Sequence, residues 1–321
     1  MLSLNERGIR TAVDDKLNFI ANSARLASVL EVSSMKPGNV NPVHNFENTR
    51  FEHFLTGSIS LGDAVRSAAF SGYKNNVKIG EHILKGVSDI KNSHAGGNTH
   101  LGILMLFIPA ASAAGVCLSE GDYGMGNLQR NVSKILSSTT VDDAINLCRA
   151  IKHANAGGLC AVDASVGADK FDINNENINE ELIKNNLNFY NLMKLSKERD
   201  RIAEELTAGM SITFEHARVL EKIYAKTGDI FPAVVQTYLM ILSKFPDTLI
   251  SRKCGFEKAG EVSHAASNVI ELGGVFTREG GNAIENFDKC LREKGNKLNP
   301  GTTADIIAAS LFTTLLSGLK L

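Results

Sequence analysis

The chain has 321 residues, 43% of them hydrophobic and 21% charged, enough apolar material for one large core, which excludes a disordered chain and a small disulfide-dependent scaffold. Lys and Arg total 34 against 35 for Asp and Glu, a net charge of −1, so no global field draws the chain to nucleic acid or an anionic membrane, and any polyanion must be met by local groups. The cysteines at 117, 148, 160, 254 and 290 lie far apart with no CxxC pair, and fit reduced thiols better than a disulfide or zinc framework.

From Asn5 to Ser34, Ile9, Val13, Leu17, Ile20, Ala24, Ala27 and Leu30 recur at three- and four-residue spacing, which predicts a helix ending before Lys36-Pro37-Gly38. Similar periodicity predicts helices near 51–71, 77–92, 99–118, 141–153, 179–195, 197–210, 214–225, 231–244, 257–272, 281–293 and 302–319. Thr140 with Asp143 forms a capping box at one of these starts. No run alternates apolar and polar residues long enough for a strand, and the Gly-, Asn- and Asp-rich stretch 157–177 reads as a long surface loop. The expected fold is all-α, one multi-helix domain over 1–321 with about 11 to 13 helices. The apolar stretch Leu101 to Leu118 contains Pro109 and Ser112 and follows a polar motif, so it reads as a buried core helix rather than a membrane span. Met1 to Arg10 carries charges and no following apolar run, which argues against a secretory signal and for a cytoplasmic protein.

Four polar loops next to helix ends hold the candidate chemistry. In the first, after Glu31, Lys36 can pair with phosphate while Pro37 and Gly38 shape a turn that admits close backbone approach; a plain helix stop is the alternative. The second, His94 to Gly102, places Asn98, Thr99 and His100 at the mouth of the most apolar helix, where unpaired polar groups are costly and free N–H groups suit anionic oxygens; an ordinary N-cap is the alternative. The third sets Asp247 one to two helical turns from Arg252 and Lys253, so an acid and two bases can face one site unless they form a solvated surface helix. In the fourth, Asn299-Pro300-Gly301-Thr302 opens the last helix with Asp305 in its first turn, fit for an anion and Mg²⁺ or simply a helix start. No Walker A sequence and no HExxH motif occurs, and the histidines lack zinc-ligand spacing.

In order and spacing, Glu31-Val-Ser-Ser with Lys36-Pro37-Gly38, Asn98-Thr99-His100-x-Gly102, Asp247-Thr248 with Arg252-Lys253-x-Gly255, and Asn299-Pro300-Gly301-x-x-Ala304-Asp305 resemble the triphosphoribosyl-dephospho-CoA synthase family. The resemblance implies an all-helical enzyme that transfers the 5-triphosphoribosyl group of ATP to the 2′-hydroxyl of 3′-dephospho-CoA, releases adenine and requires Mg²⁺. The stretch from Asn41 to Arg50, Cys254 and Thr302-Thr303 depart from the family's usual residues, which leaves room for a related acceptor. On this reading Asp247 and Asp305, with Glu81, are candidate metal ligands, and His100 and Glu31 candidate acid–base groups. Lys36, Pro37, Gly38, Asn98, Thr99, Gly102, Arg252, Lys253, Asn299, Gly301 and Thr302 are the candidate nucleotide and phosphate contacts. ATP and dephospho-CoA would be small-molecule partners, with no nucleic acid and no membrane. A Mg²⁺-dependent helical hydrolase of nucleotides or ADP-ribosyl groups would use the same acids; a non-catalytic helical module would have no reason to bring the four loops together.

Overall fold

A computed structural model describes residues 4–155 and 175–321. Sixteen α-helices and one short 3₁₀ turn account for its regular structure, with an isolated bridge between Phe46 and Thr49 and no strand among the described residues. The long N-terminal helix α1 (Leu4–Ser33) is followed by α2 (Phe51–Ser60), α3 (Gly62–Tyr73) and α4 (Ile79–Lys91). Then come α5 (Leu101–Glu120), α6 (Met125–Ser137), α7 (Val141–Ala154), α8 (Ile178–Lys184), α9 (Phe189–Ser196) and α10 (Arg201–Thr207). The chain closes with α11 (Ser211–Thr227), α12 (Ile230–Lys244), α13 (Thr248–Cys254), α14 (Phe256–Glu271), α15 (Arg278–Arg292) and α16 (Gly301–Leu316).

Helix α5 is apolar on every side, so it is stable only when surrounded. It is long and apolar enough to cross a membrane, yet most of it is buried inside the fold. On one side it meets α3 almost backbone to backbone. A Cβ on Gly72 would lie 2.8 Å from the Ser112 carbonyl carbon, and one on Gly115 2.8 Å from that of Ala69, so only glycine permits this approach. On the other side it packs on α16, where the Phe107 and Phe312 ring centroids are 4.6 Å apart; truncating Phe312 to Ala would cost about 3–5 kcal/mol. These two apolar helices begin next to each other at their polar N-terminal ends, which is what creates a site.

The helix predicted over 51–71 is interrupted at Leu61, whose backbone stays helical (φ −63°, ψ −20°). The one predicted over 179–195 is two, because Asn186 turns left-handed (φ 48°) and Asn188 caps α9 by accepting from the Asn191 N–H. Helix α6 was not among the expected elements; its buried stripe of Leu128, Val132, Ile135 and Leu136 has helical spacing but follows the glycine-rich turn at 121–126. The Thr140 capping box forms, with Asp143 Oδ2 accepting from the Thr140 N–H at 2.9 Å. The predicted loop at 157–177 lies outside the described residues apart from its last few positions, as does Cys160; among the described residues no disulfide forms, and Cys117, Cys148, Cys254 and Cys290 are thiols.

Candidate active site

The end of α1, the segment before α5, the short helix α13 and the start of α16 enclose a cleft of about 290 Å³. Glu31, Asn98, Thr99, Gly102, Arg252, Lys253, Asn299, Gly301, Thr302 and Asp305 line it, so all four polar loops reach one place. Lys36, Pro37, Gly38, His100 and Asp247 are not on its wall, and Glu81 is elsewhere.

Asp305 enters the cleft from the first turn of α16, directly against Gly102 on α5. A Cβ at residue 102 would lie 2.6 Å from Asp305 Cγ, so glycine is required there for the carboxylate to occupy this position. Burial, then the nearby negative charge of Glu31, pushes the Asp305 carboxyl well above its ordinary range, against the pull of Arg252. Glu31 is buried at the end of α1 in an ion pair with Lys36 Nζ at 2.9 Å, and the same ammonium donates to the Glu31 backbone oxygen. Desolvation outweighs Lys36, so the Glu31 carboxyl is also raised. Lys36 is fully buried as the counter-ion of Glu31, which corrects its expected role as a phosphate contact. Pro37 and Gly38 likewise fasten the loop to the fold. The Tyr238 hydroxyl donates to the Pro37 carbonyl at 2.8 Å and the Gly38 N–H to Asp288 Oδ1 at 2.8 Å.

Asp247, expected as a metal ligand, has both carboxylate oxygens committed. Oδ1 caps α13 by accepting from the Leu249 and Ile250 N–H groups (2.9 and 3.2 Å), and Oδ2 accepts from the N–H and hydroxyl of Thr303, each at 2.8 Å. It joins α13 to α16 rather than facing the cleft. Glu81, the third expected ligand, is exposed on α4 and pairs with Lys78 at 3.2 Å on a surface groove formed with Arg66 and Lys85, which removes it from the site. Among the described residues no three His, Cys, Asp or Glu side chains converge to hold a metal.

The cleft combines donors with carboxyls. On α13, Arg252 Nη1 donates to Asp200 Oδ2 at 3.0 Å, while its buried Nε has no partner among the described residues. The Thr302 hydroxyl accepts from Thr248 at 3.2 Å and keeps its own proton, and the Asn299 Oδ1 accepts from Asn39 Nδ2 at 2.6 Å, which leaves the Asn299 amide nitrogen as a donor. These groups offer donors. Into the same cleft come the carboxyls of Glu31 and, from α16 itself, Asp305, together with Thr99, while Asn39 Oδ1, buried next to Asn299, has no partner among the described residues. Asn39 and Asp200 were not singled out from sequence. Asn39 follows directly on the Pro37-Gly38 turn, but nothing in the chain announces the pairing of Asp200 with a residue 52 positions later.

His100 stands one layer behind Thr99. Its Nδ1 is 2.6 Å from Thr99 Oγ1 and its Nε2 3.2 Å from Ser58 Oγ. Burial, with a smaller contribution from His94, pushes its pKa down to about 3, so the ring is neutral. Because both ring nitrogens are occupied and the ring is off the cleft wall, His100 is corrected from a group that meets the acceptor directly to one that acts through Thr99. It does line a second cavity of about 280 Å³, which adjoins the cleft across Asn98, Thr99 and Leu101.

Residues 17–320 match the family model described as ATP:dephospho-CoA triphosphoribosyl transferase. A 2-(5″-triphosphoribosyl)-3′-dephosphocoenzyme-A synthase of Klebsiella pneumoniae is 24% identical over 228 residues, which cover 70% of this chain and 63% of that protein; the chain thus matches somewhat less than two thirds of its relative's length. A crystal structure from Archaeoglobus fulgidus, provisionally named a triphosphoribosyl-dephospho-CoA synthase, aligns with a TM-score of 0.60 and 25% identity over 82% of this chain and 100% of its own.

Proposed function

The chain belongs to the ATP:dephospho-CoA triphosphoribosyl transferase family, and we propose that it transfers the 5-triphosphoribosyl group of ATP to the 2′-hydroxyl of 3′-dephospho-CoA or a related acceptor, with release of adenine. The observation that carries this reading is the convergence of hydrogen-bond donors and buried carboxyls in one cleft. Phosphates need the donors, and Arg252 and the Thr302 hydroxyl line one volume for them. A sugar undergoing substitution at C1′ needs the carboxyls, one of which can remove the acceptor's proton. Glu31 fits that task. Its raised pKa brings it closer to neutral pH, where a general base works best, and Lys36 holds its position.

The residues also fit Mg²⁺ that arrives with the triphosphate. Mg²⁺ keeps several waters and takes one or two protein carboxylates beside substrate phosphates, so no all-protein cage is needed. Asp305, which lines the cleft with Arg252, is the carboxylate for it, and Glu31 lines the same cleft. When bound, the metal would neutralise phosphate charge that a chain of net charge −1 cannot.

Mass spectrometry of products after incubation with ATP, Mg²⁺ and dephospho-CoA tests the proposal. Stoichiometric adenine and triphosphoribosyl dephospho-CoA support it. Free triphosphoribose with unmodified dephospho-CoA would instead support the hydrolase, for which water takes the acceptor's place.

A further inference from the structure

A chain of hydrogen bonds behind the cleft has only one consistent direction. The Ser58 hydroxyl donates to the Phe54 carbonyl at 2.7 Å. A hydroxyl has a single proton, so Ser58 Oγ can only accept from its other neighbours, Ser28 Oγ at 2.7 Å and His100 Nε2 at 3.2 Å. His100 therefore carries its proton on Nε2, and in a neutral ring Nδ1 is bare. Thr99 Oγ1, 2.6 Å away, must donate to it. From the other end, the Gly96 N–H donates to His94 Nδ1 at 3.1 Å, which puts the His94 proton on Nε2, 3.3 Å from Thr99 Oγ1. Both ends agree. Thr99 has spent its own proton on His100 and receives one from His94, so its hydroxyl retains one lone pair, on a residue that lines the cleft.

We infer that Thr99 is a fixed hydrogen-bond acceptor that reads a ribose hydroxyl of the bound ligand, with His100 and His94 as positioning residues that set its direction. Ordinarily a threonine hydroxyl rotates to suit either a donor or an acceptor. Here rotation toward a ligand acceptor would leave the buried His100 Nδ1 unsatisfied, which disfavours a phosphate or carbonyl oxygen at this point. The position is the opposite of Thr302, whose proton is free. Nucleotide phosphates are thereby directed to α16 and a sugar hydroxyl to Thr99. This rests on the reading of the cleft as a nucleotide site; the hydroxyl can come from the ribose of ATP or from that of the acceptor.

The test is calorimetric binding to the full chain of ATP, 2′-deoxy-ATP, 3′-deoxy-ATP, dephospho-CoA and its 2′-deoxy form, for the unmodified protein and for Thr99→Val, Thr99→Ser and His100→Leu, each checked by thermal melting. At least one deoxy ligand should bind the unmodified protein about tenfold more weakly than its parent, as expected of a site built to pair with that hydroxyl. Which ligand suffers identifies the source. Thr99→Val should erase the difference, Thr99→Ser should keep it, and His100→Leu, which frees the Thr99 proton, should shrink it several-fold. Parent ligands that bind without discrimination, or discrimination that persists in Thr99→Val, would overturn the inference and leave the nucleotide reading intact. Discrimination unchanged in His100→Leu would overturn the fixed direction. No binding of ATP or dephospho-CoA to the unmodified protein would overturn both readings.

Discussion

Replacing Gly102 by Ala adds a single methyl group whose effect can be worked out from the contact between α5 and α16. The new Cβ would stand 2.6 Å from Asp305 Cγ and closer still to Oδ2, where ordinary contact begins at 3.4 Å, so the carboxyl must retreat by at least about 0.8 Å. The helix itself gains, since Ala is favoured over Gly in a helix interior by roughly 1 kcal/mol, and less in a first turn. Stability should therefore change little, with a melting temperature within a few degrees of the parent. Activity should not survive as well. A displacement of about 1 Å at a group that positions the reactants costs roughly 10²-fold in rate. Adenine release from ATP in the presence of Mg²⁺ and dephospho-CoA, measured beside a circular dichroism melt, separates the two effects. A Gly102→Ala protein that folds normally and releases adenine within threefold of the parent rate would refute the assignment of Asp305 to the reacting centre.

Four further outcomes follow from the same contacts. Asp247→Ala loses an N-cap, worth about 1 kcal/mol, and the charge-assisted bonds to Thr303, worth about 1.5–3 kcal/mol, so urea denaturation should show a loss of about 2–4 kcal/mol while the Mg²⁺ dependence of ATP binding in the folded protein is unchanged. Lys36→Met strands a buried carboxylate and should cost about 3–5 kcal/mol; adding Glu31→Gln should restore most of it, and a double variant as unstable as the single one would count against the ion pair. Asp305 is protonated more readily in the fold than in the unfolded chain, so it lowers stability as pH rises above its ordinary range, and the stability gained by Asp305→Asn should grow between pH 5 and pH 8. His100 shows the opposite sense: its folded pKa of about 3 lies below the usual 6.5, so the unfolded state takes up its proton first. The stability it supports is complete above about pH 6.5 and falls by roughly 2 kcal/mol from pH 7 to pH 5, a slope that denaturation of His100→Asn should show flattened.

The elements that sequence periodicity predicts well are those whose burial is one-sided or complete. The stripe of Leu17, Ile20, Ala24 and Ala27 is buried along α1, and the all-apolar run from Leu101 is the core helix that its composition required. Breaks inside long periodic stretches were harder to see. At Leu61 no residue type marks the interruption, since the backbone hardly leaves helical geometry. At Asn186 and Asn188 a signal was present, because asparagine tolerates the left-handed region and caps helices, but apolar periodicity on both sides carried the prediction through it.

Within the site, sequence located the loops and misjudged the depth of particular side chains. Lys36 and Asp247 have the composition of ligand contacts, and only the fold shows that a lysine faces inward to neutralise Glu31 and that an aspartate spends four acceptor positions on α13 and α16. Both corrections have one cause. A cleft built where two apolar helices begin must hold several buried acids and helix ends close together, and each uncompensated one costs stability. Residues that satisfy those groups therefore resemble, in sequence, residues that bind a ligand. What separates them is whether any capacity is left over: Asp247 has none, whereas Arg252 Nε, Asn39 Oδ1 and the last lone pair of Thr99 have no partner among the described residues. Unspent hydrogen-bonding capacity in residues that line the cleft, rather than residue type, thus distinguishes a candidate ligand contact from a residue that only satisfies the fold.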